Sequence, residues 1–331
     1  MALPALRVVR EKFAQAEIGV LARPYVLDIY LDQGIADELI PYDSAGEHGG
    51  FRGRERLVAQ LRQRKFDVAL LLQNAFDAAW LAWRAKIPER IGYARDGRSF
   101  LLTKAIQAPR EREIPAHEKF YYLELVRRTG WLERLPEVFW IELKISEEKR
   151  SRAEEFLVAA GAQPGRKRIA VGAGASYGSA KCWPPDRFAE ALNKLTDAND
   201  AEVILFGTVG EAAVSAAILA GLRKRAIDLT GKTPIVELPA LLSRCNLFIG
   251  NDSGAMHVAA AVGLPIVAIF GPTDPNGTAP VTPKCAVVQE KTYCSPCFLR
   301  RCPTDHRCMK AVTPAMVEAA ARVQLMAVTS V

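Results

Sequence analysis

Short apolar runs alternate with amphipathic segments along most of this chain. Continuous apolar runs at residues 67–72, 168–172 and 201–207 predict strands that are buried on both faces. The segments at residues 3–13 and 186–195 carry apolar residues at helical spacing and predict helices that cover a sheet. Strands that alternate with helices predict an α/β fold with parallel sheets.

One such strand–helix–strand unit, at residues 248–275, contains the most informative turn. An apolar strand ends near Ile249, a polar turn occupies residues 250–254, and an alanine-rich helix and a second apolar strand follow. A helix start leaves backbone N–H groups unpaired, and together with the helix dipole they favour a phosphate or diphosphate. The candidate binding residues are Asp252, Ser253, Gly254 and, one turn into the helix, His257.

Two interpretations of this turn stay open on its local chemistry. Asp252 would repel a phosphate, so a binding turn favours a ligand that also offers hydroxyl or ammonium groups, such as a sugar nucleotide. The same residues are equally compatible with a well-capped structural turn and a half-buried histidine at position 257.

A second candidate lies in the loop at residues 174–181, which follows a predicted strand and is rich in small residues. Such a loop lets backbone N–H groups approach a phosphate, while Lys181 supplies a charge and Ser176 a hydroxyl donor. Glu211, after the next strand, can hold ribose hydroxyls. The alternatives are a loose loop with a solvated lysine, and a glutamate that only complements a helix dipole.

The cysteines are concentrated near the C-terminus. Four of the seven follow the spacing C-x2-C-x4-C-x5-C at Cys294, Cys297, Cys302 and Cys308. Such spacing can hold a structural zinc ion or an iron–sulfur cluster, whereas a loop of free, locally packed thiols is the alternative.

Composition narrows the class of protein. With 331 residues, half of them apolar, the chain can fill two ordinary cores. No apolar run is long enough to span a membrane and the first residues do not resemble a signal peptide, so we expect a cytoplasmic protein. The net charge of +7 suits an anionic partner, but no run of basic residues with interleaved aromatics indicates nucleic acid.

Three motifs together resemble the ADP-heptose:lipopolysaccharide heptosyltransferases of glycosyltransferase family 9. They are Asn251-Asp-Ser-Gly-Ala-Met-His257 with Gly271-Pro-Thr-Asp-Pro275, Gly174-Ala-Ser-Tyr-Gly-Ser-Ala-Lys-Cys-Trp-Pro184, and the cysteine-rich stretch at residues 294–308, which is similar to the heptosyltransferase II branch. The resemblance implies a GT-B fold of two Rossmann-like domains facing across a cleft. We predict an N-terminal acceptor domain at residues 1–145 and a C-terminal nucleotide-sugar domain at residues 146–331, whose last helix can pack back on the first.

The resemblance also implies the reaction and its partners. It implies inverting transfer of a heptose from ADP-L-glycero-D-manno-heptose to the inner core of lipopolysaccharide, on heptosyl-Kdo-lipid A at the inner face of the cytoplasmic membrane. No cofactor is required in such a reaction. The implied donor-binding residues are Ser176, Lys181, Glu211, Asp252, Ser253, Gly254 and His257.

One departure from the family concerns the start of the chain. Heptosyltransferases begin with a buried strand and a Gly-Asp turn, whose aspartate is the proposed catalytic base, ahead of the helix that corresponds to residues 3–13. We therefore expect the N-terminal domain to lack its first strand as written and the base to lie upstream of Met1. A non-catalytic nucleotide-sugar-binding protein is the alternative function. An NAD-dependent oxidoreductase is disfavoured because no G-x-G-x-x-G follows a strand.

Overall fold

A computed structural model describes residues 1–328, so residues 329–331 of the predicted C-terminal domain lie outside the described residues. The chain divides into two compact units, Met1–Glu137 and Val138–Val331. The sequence predicts the boundary after residue 145. The segment before that point packs on the second unit, because the Trp140 indole donates to the Ala260 carbonyl at 2.8 Å and the Leu143 amide donates to the Ala261 carbonyl at 2.7 Å.

The N-terminal unit opens with the predicted first helix. Its elements are α1 (Leu3–Lys12), β1 (Gly19–Ala22), α2 (Pro24–Tyr30), β2 (Glu38–Pro41), α3 (Gly50–Gln63), β3 (Val68–Leu71), α4 (Phe76–Arg84), β4 (Glu89–Tyr93), β5 (Lys104–Ile106) and α5 (Glu118–Thr129). Its strands form two separate parallel sheets, β1–β2 and β3–β4–β5. Among residues 1–328 no strand precedes α1, which buries Leu3 and Ala5 and packs on α5.

Burial of β3 differs from the prediction. The apolar run at residues 67–72 predicted a strand buried on both faces, but Val68 is exposed and the following three residues are only half-buried. Within the described residues β3 pairs with β4 alone, so one of its edges carries no neighbouring strand. An apolar sequence indicates that a segment can be buried, whereas the neighbouring strands decide whether it is.

The C-terminal unit contains one continuous six-stranded sheet. Its elements are α6 (Glu147–Ala159), β6 (Lys167–Gly172), α7 (Pro185–Asn199), β7 (Ala201–Leu205), α8 (Ala212–Gly221), β8 (Ile227–Asp228), α9 (Leu238–Leu242), β9 (Leu247–Asn251), α10 (Gly254–Ala261), β10 (Ile266–Phe270), α11 (Pro275–Thr278), β11 (Cys285–Gln289), α12 (Arg307–Ala311) and α13 (Pro314–Val328). All strands are parallel, in the order β11-β10-β9-β6-β7-β8. The order reverses between β6 and β9, and ligands of such sheets bind at this point, beyond the carboxyl ends of the strands.

The last helix contributes to the core of its own unit. Helix α13 buries Val317, Ala321 and Leu325 in the cluster that also holds Trp183 and the inward residues of the central strands, and it packs on α7, β9, β10 and β11. That this helix also packs back on the N-terminal domain stays a prediction. The apolar face of α13 covers strands of the C-terminal sheet that would otherwise be exposed.

Candidate anion-binding site

Loops that follow three adjacent strands meet at the carboxyl edge of the C-terminal sheet. Lys181 comes from the loop after β6, Asp252 from the turn after β9, and Thr273 from the turn after β10. The strands place these loops side by side because β6, β9 and β10 are consecutive in the sheet. The two loops predicted from the sequence therefore belong to one site.

The centre of the site is a buried ion pair. The Lys181 ammonium donates to Asp252 Oδ2 at 2.5 Å, and the Thr273 hydroxyl donates to the same oxygen at 2.8 Å. The side chains of Lys181 and Asp252 are 12% and 6% exposed, so the pair is largely removed from water. This arrangement explains the carboxylate that seemed out of place in an anion site: Asp252 holds Lys181 in position.

Asn251, at the end of β9, forms hydrogen bonds to both sides of the loop at residues 174–181, which we call the lysine loop. Its side chain is fully buried; its amide nitrogen donates to the Ala173 carbonyl at 2.5 Å, and its amide oxygen accepts from the Trp183 amide at 3.1 Å. The Trp183 indole in turn donates to the Val312 carbonyl at 3.0 Å. Both ends of the loop that carries Lys181 are thus anchored in the core.

Glu211 lies against the first glycine of the lysine loop. Its carboxylate accepts from the Thr208 amide at 2.7 Å in a capping box, and a Cβ atom on Gly174 would come within 1.8 Å of Glu211 Oε1. Gly174 is therefore needed for the close approach of the two segments. The structure brings Glu211 to the site, and its contact with ribose hydroxyls stays a prediction.

The remaining predicted residues surround the ion pair. Ser253 is the N-cap of α10, although its side chain makes no capping hydrogen bond, and Gly254 is the first helical residue. Nothing lies within 4 Å of the position of a Cβ atom on Gly254, so the helix start faces open space. Ser176 is exposed on the lysine loop, and His257 is half-buried on α10. Their contacts with a ligand stay predictions.

The cysteine-rich segment, residues 294–308, packs beside this site. Cys294 is exposed near Thr292, Cys302 lies 3.5 Å from the Thr304 hydroxyl, and Cys308 is buried in the core against Gly271. Within residues 1–328 no three His, Cys, Asp or Glu side chains are grouped so that they could hold a metal ion. In the positions that this structure gives them, the thiols do not fit a zinc or iron–sulfur site. Metal binding stays a prediction that rests on the spacing of the cysteines.

The surroundings of two thiols in this segment shift their pKa values in opposite directions. A hydrogen bond from the Thr304 hydroxyl lowers the pKa of Cys302, whereas burial raises the pKa of Cys308. Burial likewise raises the pKa of Cys245 and of Cys285 to about 12. Cys302 is therefore the thiol of this group whose surroundings favour the thiolate.

Sequence reasoning missed several residues that the site uses. Thr273 lies in the Gly-Pro-Thr-Asp-Pro motif, directly after a buried strand. That position could have indicated that Thr273 belongs to the site. Two further residues join the lysine loop to the cysteine-rich segment. Tyr177 of the lysine loop donates its hydroxyl to the Phe298 carbonyl, and His306 of the cysteine-rich segment bonds to the Ala180 carbonyl, each at 2.6 Å. Their sequence separation of more than a hundred residues hid this contact.

Comparison with known proteins decides the family. The model of glycosyltransferase family 9 (heptosyltransferase) matches residues 54–307. The chain belongs to this family. It is 30% identical over 294 residues to lipopolysaccharide heptosyltransferase 2 of Escherichia coli K12, an alignment that covers 86% of this chain and 82% of that protein.

Solved structures of family members share the fold. The structure of E. coli ADP-heptose LPS heptosyltransferase II matches with a TM-score of 0.84 and 26% identity, over 99% of this chain and 95% of that one. A family 9 glycosyltransferase from Veillonella parvula matches with a TM-score of 0.87 and 24% identity, over 98% and 94%. The predicted GT-B class of α/β fold and the predicted glycosyltransferase identity are confirmed. Among residues 1–328, no helix has the length and apolarity needed to cross a bilayer.

Proposed function

We propose that this glycosyltransferase transfers a heptose from ADP-heptose to the inner core of lipopolysaccharide, as its heptosyltransferase 2 relatives are named to do. The observation that carries the proposal is the ion pair of Lys181 with Asp252 beside the open start of α10. The ion pair fixes the Lys181 ammonium group near the unpaired backbone N–H groups at the start of α10. In sheets of this kind, diphosphates bind at this point.

The proposed chemistry breaks the bond between the anomeric carbon of the heptose and the diphosphate oxygen. Negative charge develops on the departing ADP, and Lys181 together with the N–H groups at the start of α10 stabilises that charge. A hydroxyl of the acceptor attacks the opposite face of the sugar, which inverts the anomeric centre. The proton of that hydroxyl goes to a general base. We predict that this base is the aspartate of the family's Gly-Asp turn.

Asp252 has a positioning role in this proposal. The ammonium group of Lys181 has three N–H bonds, and one oxygen of Asp252 accepts a hydrogen bond from it. The other N–H bonds are available to diphosphate oxygens. Because the side chain is held before the donor arrives, less rotamer entropy is lost on binding.

The acceptor in this proposal is an anionic glycolipid, heptosyl-Kdo-lipid A, bound by the N-terminal unit. Arginines beside the ends of β1 and β2 support this assignment: Arg23 lies over the Tyr42 ring at 5.6 Å, and Arg54 pairs with Asp77 at 3.1 Å. Because lipid A is embedded in a bilayer, we also propose peripheral contact with the cytoplasmic face of the inner membrane. The net charge of +7 favours such contact with anionic lipid.

The test is release of ADP from ADP-heptose in the presence of a lipopolysaccharide acceptor that ends at the first heptose. We expect ADP and one added heptose by mass spectrometry, and much slower release from ADP-glucose under the same conditions. Isothermal titration with ADP is run in parallel.

The outcomes separate the alternatives. Binding of ADP without release in the presence of acceptor would identify a non-catalytic nucleotide-sugar-binding protein. If the folded chain does not bind ADP, the proposal that this site binds the donor is wrong.

A further inference from the structure

The cysteine-rich segment, residues 294–308, joins the two loops that place Lys181 and Thr273. On one side it contacts the lysine loop, where the Ala180 amide donates to the Arg300 carbonyl at 3.1 Å. The contacts of Tyr177 with Phe298 and of His306 with Ala180 lie at the same interface. Because the Ala180 carbonyl can only accept, Nε2 of His306 must carry the proton in this contact.

On its other side the segment contacts the turn after β10. The amides of Cys297 and Phe298 donate to the Pro272 carbonyl at 3.0 and 2.8 Å, and the Ser295 hydroxyl donates to the Gly271 carbonyl. Pro272 directly precedes Thr273. The segment therefore holds both loops that supply the hydrogen-bond donors to Asp252.

The backbone of the lysine loop is fitted to this contact. A Cβ atom on Gly178 would come within 2.2 Å of the Arg300 carbonyl oxygen, so a side chain there would push the two segments apart. His306 adopts a φ of 61°, in the left-handed region that residues other than glycine rarely occupy. The fold maintains that conformation where the His306 ring bonds to the lysine loop.

Arg300 brings a second cation to the site. Its guanidinium lies 5.3 Å from the centre of the Tyr177 ring, and the Lys181 ammonium lies 4.8 Å from the same ring centre. Arg300 and Tyr177 are both exposed, so a ligand can reach them from solvent. Through this shared ring, the exposed Arg300 lies at the edge of the site whose centre holds Lys181.

Charge balance at the site favours a role for this second cation. Asp252 already neutralises Lys181, and Glu211 adds a further carboxylate beside the lysine loop. A donor diphosphate brings at least two negative charges, which one paired lysine compensates poorly. Arginine presents several N–H donors in a planar array that suits phosphate oxygens.

We propose that the cysteine-rich segment completes the donor site, with Arg300 binding the diphosphate and Tyr177 and His306 acting as positioning residues for Lys181. This inference rests on the proposed function, since it names further residues of the same donor site. It also gives the segment a role that does not depend on a bound metal.

The experiment is isothermal titration of the full chain and its variants with ADP, at two salt concentrations. We expect Arg300→Gln to weaken ADP binding on the order of tenfold at low salt, and by less at high salt because an exposed charge is screened. Arg301→Gln removes the adjacent exposed arginine and is the matched control, with expected affinity equal to that of the unmodified chain.

A separate pair of variants tests the positioning role of His306. We expect His306→Leu to weaken ADP binding on the order of threefold to tenfold, since one hydrogen bond to the loop is lost. His306→Gln can still donate to the Ala180 carbonyl and should restore most of the affinity. With acceptor present, KM for the nucleotide sugar should rise in His306→Leu while KM for the acceptor stays unchanged. Tyr177→Phe provides a second loop variant if thermal unfolding shows that His306→Leu is not folded.

Three results would overturn the proposal: ADP affinity unchanged in Arg300→Gln, an equal loss in Arg301→Gln, or no difference between the two His306 variants. Failure of the proposed function gives a different result, because the unmodified chain would then not bind ADP at all.

Discussion

The C-terminal sheet carries a buried ion cluster at each end, and the two clusters differ in how completely their charges are satisfied. At the amino end, Arg168 at the start of β6 binds both oxygens of Glu154 at 2.6 and 2.7 Å, and Glu202 on the adjacent strand at 3.2 Å. Arg244 also donates to Glu154. At the carboxyl end, Lys181 and Thr273 share a single oxygen of Asp252.

The surroundings of the two clusters explain the difference. Arg168 and Glu202 are register partners on β6 and β7, so the sheet itself sets their contact, and both are more than 90% buried. Lys181 instead comes from a loop that is rich in small residues, beside a helix start that faces open space. A closed cluster on strands favours stability, whereas an open one on loops favours ligand binding.

The largest expected effect is on stability, from Arg168→Met. Removal of the guanidinium leaves the buried Glu202 without its cation and leaves Glu154 with Arg244 alone, which we expect to cost about 3–5 kcal/mol of unfolding free energy. Denaturant unfolding measures this loss, and ADP affinity of the folded variant should be unchanged. Arg152→Met, which removes an exposed ion pair with Glu148 on the same helix α6, should cost less than about 1 kcal/mol. Similar losses in the two variants would contradict the assignment of the amino-end cluster to stability.

The next effect is on binding, from Lys181→Met. We expect ADP to bind about a hundredfold more weakly, because the variant loses a held cation and leaves the charge of Asp252 uncompensated near the diphosphate. Titration calorimetry gives the affinity, and thermal unfolding confirms that the variant is folded. Lys194→Met, which removes an exposed lysine paired with Glu190 on α7, is the control and should bind ADP like the unmodified chain. An unchanged ADP affinity in Lys181→Met would exclude the carboxyl-end cluster as the donor site.

The smallest effect is a pH dependence at the amino end. The Arg168 guanidinium lowers the pKa of Glu154 from 4.5 to about 2, so this carboxylate stabilises the fold above its unfolded pKa, and that stabilisation is lost as pH falls from about 5 towards 2. We expect the unfolding free energies of the unmodified chain and Glu154→Gln to differ by on the order of 2 kcal/mol at pH 7, and by less than half of that at pH 3. A difference that stays constant over this range would show that the pKa of Glu154 is not lowered by its arginines.

Much of the carboxyl-end cluster could be predicted from the sequence. Lys181 and Asp252 stand in motifs that resemble those of a known family, and each follows an apolar run that predicts a buried parallel strand. The carboxyl ends of such strands gather at one edge, so their meeting was expected. Neither hydrogen bond to Asp252 was predicted, because its pairing with Lys181 and Thr273 depends on the strand order β10-β9-β6, which no local pattern encodes.

The sequence by itself determined the α/β class, the buried central strands of the C-terminal sheet and the loops that carry the candidate ligands, because periodicity, small residues and helix caps act locally. Only the tertiary structure decided that α13 covers its own sheet, that β3 is half-exposed, and that the cysteine-rich segment holds the loop of Lys181. Each of these depends on contacts between segments that are distant along the chain. Such contacts are set by strand order and by packing on neighbouring elements, which local periodicity does not report.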